Sequence, residues 1–80
     1  MIINAKIFPS LRHYLPNSKR HIKGHKWDIP EGATVAKALE MLSLPKWEIK
    51  LLLVNGRHAN MDGVLSDGDV LQVFPLLPGG

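Results

Sequence analysis

Eighty residues, of which 45% are apolar, predict one small globular domain, because the chain is too short for a second core and too apolar to be disordered. No apolar run approaches the roughly 18 residues that span a bilayer, and residues 1–4 do not begin a secretory signal, so we expect a cytoplasmic protein without a membrane segment. The absence of cysteine excludes disulfides, thiolate metal sites and a cysteine nucleophile.

The net charge of +3 is unevenly distributed along the sequence. Residues 1–27 carry six basic side chains and no acidic one, whereas residues 28–80 carry four basic and seven acidic ones. A basic segment can attract an acidic partner or nucleic acid. No aromatic platform is interleaved with these charges, so we interpret the segment from Lys19 to Lys26 as a solvated basic loop and do not expect it to bind nucleic acid specifically.

The first part of the chain predicts a strand followed by a short helical turn. Residues 2–8 alternate in the way that is typical of a half-buried strand. The residues predicted to face the core are Ile3, Ala5 and Ile7. Ser10 is placed to cap a helical turn that runs through Tyr14.

A second strand is predicted after a long connection. Residues 19–24 are polar and basic, which is typical of a loop. Residues 25–29 resume the alternation, so we expect a strand antiparallel to the first, with Trp27 and Ile29 inward.

The pattern of one clear helix follows. Thr34 is a good N-cap residue, and apolar residues recur after it at helical spacing. They are Val35, Ala38, Leu39 and Leu42. The helix is expected to end near Ser43 or Leu44, before Pro45.

The C-terminal half predicts a hairpin and a last strand. Residues 49–54 form an apolar run that Asn55-Gly56 interrupts, with residues 57–59 as the return strand of a type I′ hairpin. Asp67-Gly68-Asp69 predicts a second tight turn that begins a strand at residues 70–74.

This order of elements predicts an α+β domain, a mixed sheet of four to five strands with one main helix in the order ββαβββ. Residues 1–74 are expected to form the domain and residues 75–80 a flexible C-terminal tail. Pro75 and Pro78 lack the N–H that a sheet ladder needs, so we expect regular pairing to stop at Pro75.

Gly79 and Gly80 are the last two residues of the sequence. Without Cβ atoms they leave the terminal carboxylate unhindered for a partner's narrow cleft, so we interpret this end as a reactive group on a flexible arm. A frayed terminus or a cloning remnant is the alternative interpretation.

Apolar residues also continue from the last strand into the tail. If Leu71 and Val73 face the helix, alternation places Phe74 on the other face of the sheet. We predict a partner-binding strip made of Phe74, Pro75, Leu76 and Leu77. The alternative is a small cluster packed under the long loop.

No catalytic or metal site is recognised in the body of the chain. His21 and His25 have helical ligand spacing, but Gly24 between them argues against a helix, and no third ligand is identifiable. Asp67 and Asp69 suit turn chemistry better than acid-base catalysis. Nothing in the body of the chain therefore indicates an active site, which leaves the tail as the candidate functional element.

Five segments carry a family likeness across nearly all of the sequence. They are Phe8-Pro9-Ser10-Leu11-Arg12, Ile29-Pro30-Glu31-Gly32-Ala33-Thr34-Val35, Leu53-Val54-Asn55-Gly56, Leu65-Ser66-Asp67-Gly68-Asp69-Val70, and the tail from Phe74 to Gly80. In this order and spacing they resemble the MoaD/ThiS family of small sulfur-carrier proteins, and the small subunit of molybdopterin synthase more than ubiquitin itself. The resemblance implies a ubiquitin-like β-grasp fold.

The resemblance also implies a function for Gly80. In such proteins a separate E1-like activating enzyme uses ATP and magnesium to adenylate the terminal glycine, which then becomes a thiocarboxylate. The thiocarboxylate donates sulfur, here in molybdenum or tungsten cofactor biosynthesis, to the molybdopterin-synthase large subunit or another acceptor enzyme. The resemblance thus implies a carrier, or the small subunit of a larger enzyme, and not an enzyme in its own right. The carrier itself needs no stably bound cofactor.

Two other functions stay open. A ubiquitin-like modifier uses the same activation but ends in an isopeptide bond between its terminal glycine, here Gly80, and a lysine of another protein. A β-grasp binding module would instead contact nucleic acid through its basic N-terminal half.

Overall fold

The computed structural model describes residues 1–76, and in them six strands form one mixed sheet. The strands are β1 (Ile2–Ile7), β2 (His21–Lys23), β3 (Lys26–Asp28), β4 (Ile49–Val54), β5 (Arg57–His58) and β6 (Val70–Pro75). Their order across the sheet is β2-β3-β1-β6-β4-β5. The central strands β1 and β6 are parallel, and the other neighbouring pairs are antiparallel. The described residues also form α1 (Val35–Met41) and two 3₁₀ helices, Pro9–Tyr14 and Lys46–Glu48.

This architecture confirms the predicted α+β fold with one main helix, but it has one strand more than the four to five predicted. The additional strand is β2, in a segment predicted to be a loop. It pairs with β3 across a turn at Gly24, whose φ of 55° lies in the left-handed region that glycine adopts readily. All three side chains of β2 are exposed. An edge strand that buries neither face leaves no apolar alternation in the sequence, so the strand could not be predicted. The basic side chains of β2 protect the sheet edge from further pairing.

The core lies between α1 and one face of the sheet, and it contains the residues that strand alternation and helical spacing predicted to face inward. These buried residues are Ile3, Ala5, Ile7, Trp27, Ile29, Val35, Ala38, Leu39, Leu42, Leu71 and Val73. Period-2 burial in β1 and β6 therefore follows the apolar alternation.

The helix begins as predicted. The Thr34 side chain accepts a hydrogen bond from the Lys37 N–H at 3.1 Å, so Thr34 is the N-cap. The helix ends at Met41 with Leu42 as C-cap, and Ser43, with φ of 59°, turns the chain away from the helix axis close to the predicted end.

The first 3₁₀ helix does not use Ser10 as its cap. Phe8 occupies the N-cap position without a side-chain hydrogen bond, and Pro9 occupies the first helical turn. Proline is favoured there because its φ is already helical and the missing N–H has no partner to lose. The helix carries Leu11 into the core.

Candidate functional site

The candidate site is the place where the chain leaves β6, the strand that lies between β1 and β4. Pro75 is in register with Ile49, and the Leu76 N–H donates a hydrogen bond to the Glu48 carbonyl at 3.1 Å. The register between β4 and β6 shifts by one residue between this pair and the pair of Leu51 with Phe74, so regular pairing ends before Pro75, as predicted, although backbone contact continues to Leu76. Pro75 has no N–H to donate to the ladder, which agrees with the end of regular pairing at this point.

An apolar surface lies on the face of the sheet opposite α1. Phe74 is half-buried and its ring packs against Phe8, with centroids 6.1 Å apart and planes tilted by 54°. Leu51 is opposite Phe74 in the ladder, and Leu53 lies two residues along β4 on the same face. Phe8, Leu51, Leu53 and Phe74 form what we call the outer-face patch. The prediction that Phe74 points away from the helix is confirmed.

The remaining predicted site residues extend beyond β6. Leu76 is 67% exposed at the end of the described residues. Leu77, Gly79 and Gly80 lie outside the described residues, so the tail and the role of Gly80 stay predictions, as does the division into a domain of residues 1–74 and a tail.

A groove that the sequence did not predict adjoins the same chain end. Its volume is about 310 Å³, and its lining includes Leu11, His13, Trp47, Pro75 and Leu76. We call it the tail-exit groove. The lining residues are far apart in the sequence, so no motif predicts the groove. Trp47, an aromatic residue without a periodic apolar pattern around it, is the one residue that could have indicated it.

Glu48 connects this region to the first 3₁₀ helix. Its carbonyl accepts the Leu76 N–H, and its carboxylate raises the pKa of Tyr14 above the usual value. The main cause is the Glu48 carboxylate as a hydrogen-bond acceptor near the Tyr14 hydroxyl, followed by burial and then by the negative charge of Glu48. Each cause favours the neutral phenol over the phenolate.

The Tyr14 pKa is directly testable, because Tyr14 is the only tyrosine in the chain. We expect phenolate absorbance to titrate with a midpoint above about 10, the ordinary value, and Glu48→Gln to lower that midpoint. Because the pKa is higher in the folded state, the associated stabilisation is present below pH about 10 and is lost as pH rises through the folded pKa. A midpoint that Glu48→Gln leaves unchanged would contradict the influence of Glu48 on the Tyr14 pKa.

Asp67 and Asp69 act as structural turn residues and not as a catalytic pair. The Asp67 carboxylate accepts the Ile2 N–H at 2.7 Å. The Asp69 carboxylate accepts the Ser66 N–H at 2.7 Å and the Asn55 side-chain amide at 2.9 Å. The turn at residues 67–69 is thus attached to both β1 and the β4–β5 hairpin. Positive φ values at the two central residues of that hairpin, 52° and 81°, agree with the predicted type I′ turn.

Replacing Asp69 is expected to loosen this junction. Asp69→Ala removes the acceptor for Ser66 and Asn55 and should lower the free energy of unfolding by about 1–3 kcal/mol, measured by urea denaturation. Asp69→Asn is the matched control, because it keeps the shape and one acceptor oxygen and should lose less. Equal losses in the two variants would assign the effect to charge and not to the hydrogen bonds.

The two histidines of the basic segment do not assemble a metal site in the described residues. His21 Nε2 lies 2.9 Å from the Gly24 carbonyl, and the His21 ring packs on Trp27 with centroids 4.7 Å apart. Within residues 1–76, no three histidine, cysteine, aspartate or glutamate side chains come together as metal ligands. None of the helices in residues 1–76 is long and apolar enough to cross a membrane.

A β-grasp sheet around one helix, with the chain end leaving the middle of the sheet beside an apolar face, defines the ubiquitin-like class of proteins. Residues 1–78 match the family model described as Mut7-C ubiquitin, and the chain belongs to the Mut7-C ubiquitin family. No curated protein sequence matches the chain.

Solved structures with the same fold come from an archaeon. The crystal structure of SAMP1 from Haloferax volcanii superposes with a TM-score of 0.70 at 22% identity, covering 100% of both chains. A crystal structure of small archaeal modifier protein 1 from H. volcanii has a TM-score of 0.68 at 22% identity, covering 95% of this chain and 98% of the other. These likenesses confirm the ubiquitin-like β-grasp fold that the resemblance to MoaD/ThiS proteins implied.

Proposed function

We propose that this protein is a carrier or modifier that acts through the carboxylate of Gly80 and performs no catalysis of its own. The observation that carries the proposal is the course of the chain end. Pairing of β6 with β1 and β4 and the hydrogen bond from Leu76 to Glu48 hold the start of the tail in one place. A partner enzyme can therefore dock on a rigid sheet and act on a group four residues further along the chain.

The proposed chemistry explains why the group is a glycine carboxylate. A carboxylate oxygen of Gly80 attacks the α-phosphorus of ATP, and pyrophosphate leaves to give an acyl adenylate. Sulfide from a donor then attacks the glycine carbonyl carbon, AMP leaves, and a thiocarboxylate results. A glycine carbonyl is the least hindered one that a chain can present. In this proposal an E1-like activating enzyme binds the ATP and magnesium.

We further propose that the sulfur enters molybdenum or tungsten cofactor synthesis in the cytoplasm. The partner at that step would be the molybdopterin-synthase large subunit or another sulfur acceptor enzyme. Support for this step comes from the sequence segments that resemble the MoaD/ThiS carriers.

The second candidate is protein modification, in which Gly80 forms an isopeptide bond with a lysine. Both structural neighbours share 22% identity with this chain. One is named small archaeal modifier protein 1, and the other carries the abbreviation SAMP1. Activation with ATP, magnesium and a sulfur donor distinguishes the two functions. A carrier exchanges one terminal oxygen for sulfur in the intact mass. A modifier instead leaves residues 58–80 attached through Gly80 to lysines of other proteins after tryptic digestion, because Arg57 is the last basic residue of the chain.

The proposal requires Gly80 to end the chain in the cell. The intact mass of the protein purified from its native source measures this directly. A longer native chain without a processing step at Gly80 would overturn the proposal.

We expect Phe74→Ala to weaken association with the activating enzyme. The outer-face patch would lose its central aromatic side chain, and truncation of a buried aromatic contact at an interface typically weakens binding by about tenfold or more. Calorimetric titration measures the Kd, and thermal melting checks that the domain stays folded. Val64→Ala is the control, because Val64 is 66% exposed and lies outside the patch. A large loss of thermal stability with unchanged Kd would instead identify Phe74 as a core residue.

A further inference from the structure

The tail-exit groove presents two large apolar side chains to solvent. Trp47 is 78% exposed and Leu76 is 67% exposed, and both line the groove. Tryptophan is enriched among the residues that dominate binding energy at protein interfaces. Two exposed apolar side chains that share one concave surface therefore mark this groove as a candidate contact site.

The position of Trp47 is set by the backbone around it. Leu44 on one side is buried and Ile49 on the other packs against the core, so the intervening 3₁₀ helix holds Trp47 outward. The Glu48 N–H donates to the Pro45 carbonyl at 3.2 Å, and the Leu76 N–H donates to Glu48. The groove is thus preorganised, which reduces the entropy that binding must overcome.

The length of the chain beyond Leu76 identifies the occupant, and this step rests on the proposed function. Four residues follow Leu76, and a chain of that length spans at most about 14 Å. An enzyme that acts on the Gly80 carboxylate must bring its reacting atoms within that distance of Leu76. Its surface must then cover the chain exit, where Trp47 lies.

We propose that the tail-exit groove is a second contact for the activating enzyme, in which an apolar side chain of that enzyme packs between Trp47 and Leu76. Phe74 and Pro75 are successive residues of β6 and point to opposite faces of the sheet. The outer-face patch and the groove therefore let one enzyme hold the end of β6 from both faces.

The experiment compares the wild-type protein and two variants as substrates of the E1-like enzyme of the same organism. ATP–pyrophosphate exchange measures the rate of adenylation. Trp47→Ala should raise KM for the protein at least about tenfold and change kcat little, because the contact is made equally in the ground and transition states. Val64→Ala changes a side chain that is 66% exposed and does not line the groove, so it should leave KM unchanged. Wild-type exchange with equal KM for both variants overturns the groove proposal, whereas absence of wild-type exchange overturns the proposed function.

Fluorine NMR tests the occupant of the groove. The chain has two tryptophans, and Trp27 is buried, so protein labelled with 5-fluorotryptophan reports a core and a groove signal. Adding the unlabelled enzyme should shift or broaden the Trp47 signal and spare that of Trp27. A Trp47 shift that appears on raising protein concentration alone would indicate a second copy in the groove. A shift on removing residues 77–80 alone would indicate the chain's own tail, and either result overturns the proposal.

Discussion

Deleting Gly80 should abolish activation of the protein while leaving the domain folded. The deletion moves the carboxylate back by one residue, about 3.5 Å, and a displacement of about 1 Å from a reactive geometry already costs on the order of 100-fold in rate. The last core residue is Val73, so the loss of residue 80 removes no buried contact of the described core. The intact mass after incubation with activating enzyme, ATP, magnesium and sulfur donor measures activation, and thermal melting measures the fold.

Extending the chain by one alanine after Gly80 is the matched control for the deletion. It keeps every native residue and displaces the carboxylate in the opposite direction, so it should block activation equally. If the truncated or the extended protein gains sulfur as well as the native one, without further processing, the terminal-carboxylate mechanism is wrong.

Leu71→Ala should produce the largest loss of stability among these variants. Leu71 is fully buried in β6, and Leu→Ala at such a site costs about 3–5 kcal/mol because it leaves a cavity as well as removing apolar contact. A domain of this length has a total stability of about 4–12 kcal/mol, so the substitution should remove at least about a quarter of it, and a domain at the low end of that range would be largely unfolded at room temperature. Urea denaturation followed by circular dichroism measures the loss.

Leu76→Ala is the matched control, because it makes the same substitution five residues along the chain at a side chain that is 67% exposed. Its stability should change by less than about 0.5 kcal/mol. A loss below about 1 kcal/mol for Leu71→Ala would mean that the core can collapse around the missing side chain, and that β6 is not the rigid base that the proposed function needs.

The features of the candidate site that could be predicted from the sequence depend on local chemistry. Alternation along β6 was sufficient to place Leu71 and Val73 in the core and Phe74 on the opposite face, because strand side chains point to alternate faces whatever the neighbouring strand is. The possible reactive role of Gly80 also came from local covalent structure, since it depends only on a glycine carboxylate.

The errors have local causes as well. Strand β2 was missed because its side chains are exposed, and an edge strand is defined by backbone pairing that leaves no apolar period. Ser10 was assigned as a cap because its side chain suits that position, but Pro9 begins the helix one residue earlier and removes the need for it.

The sequence by itself determined the capped helix after Thr34, the hairpin at Asn55-Gly56 and the inward faces of β1 and β6. These features depend on interactions between residues close in the chain. Only the tertiary structure decided that Trp47 and Leu76 line one groove at the chain exit and that Asp67 holds the start of β1, 65 residues away. Such contacts depend on which strands become neighbours. Burial of the whole core selects that arrangement, and no single segment of the sequence carries a signal for it.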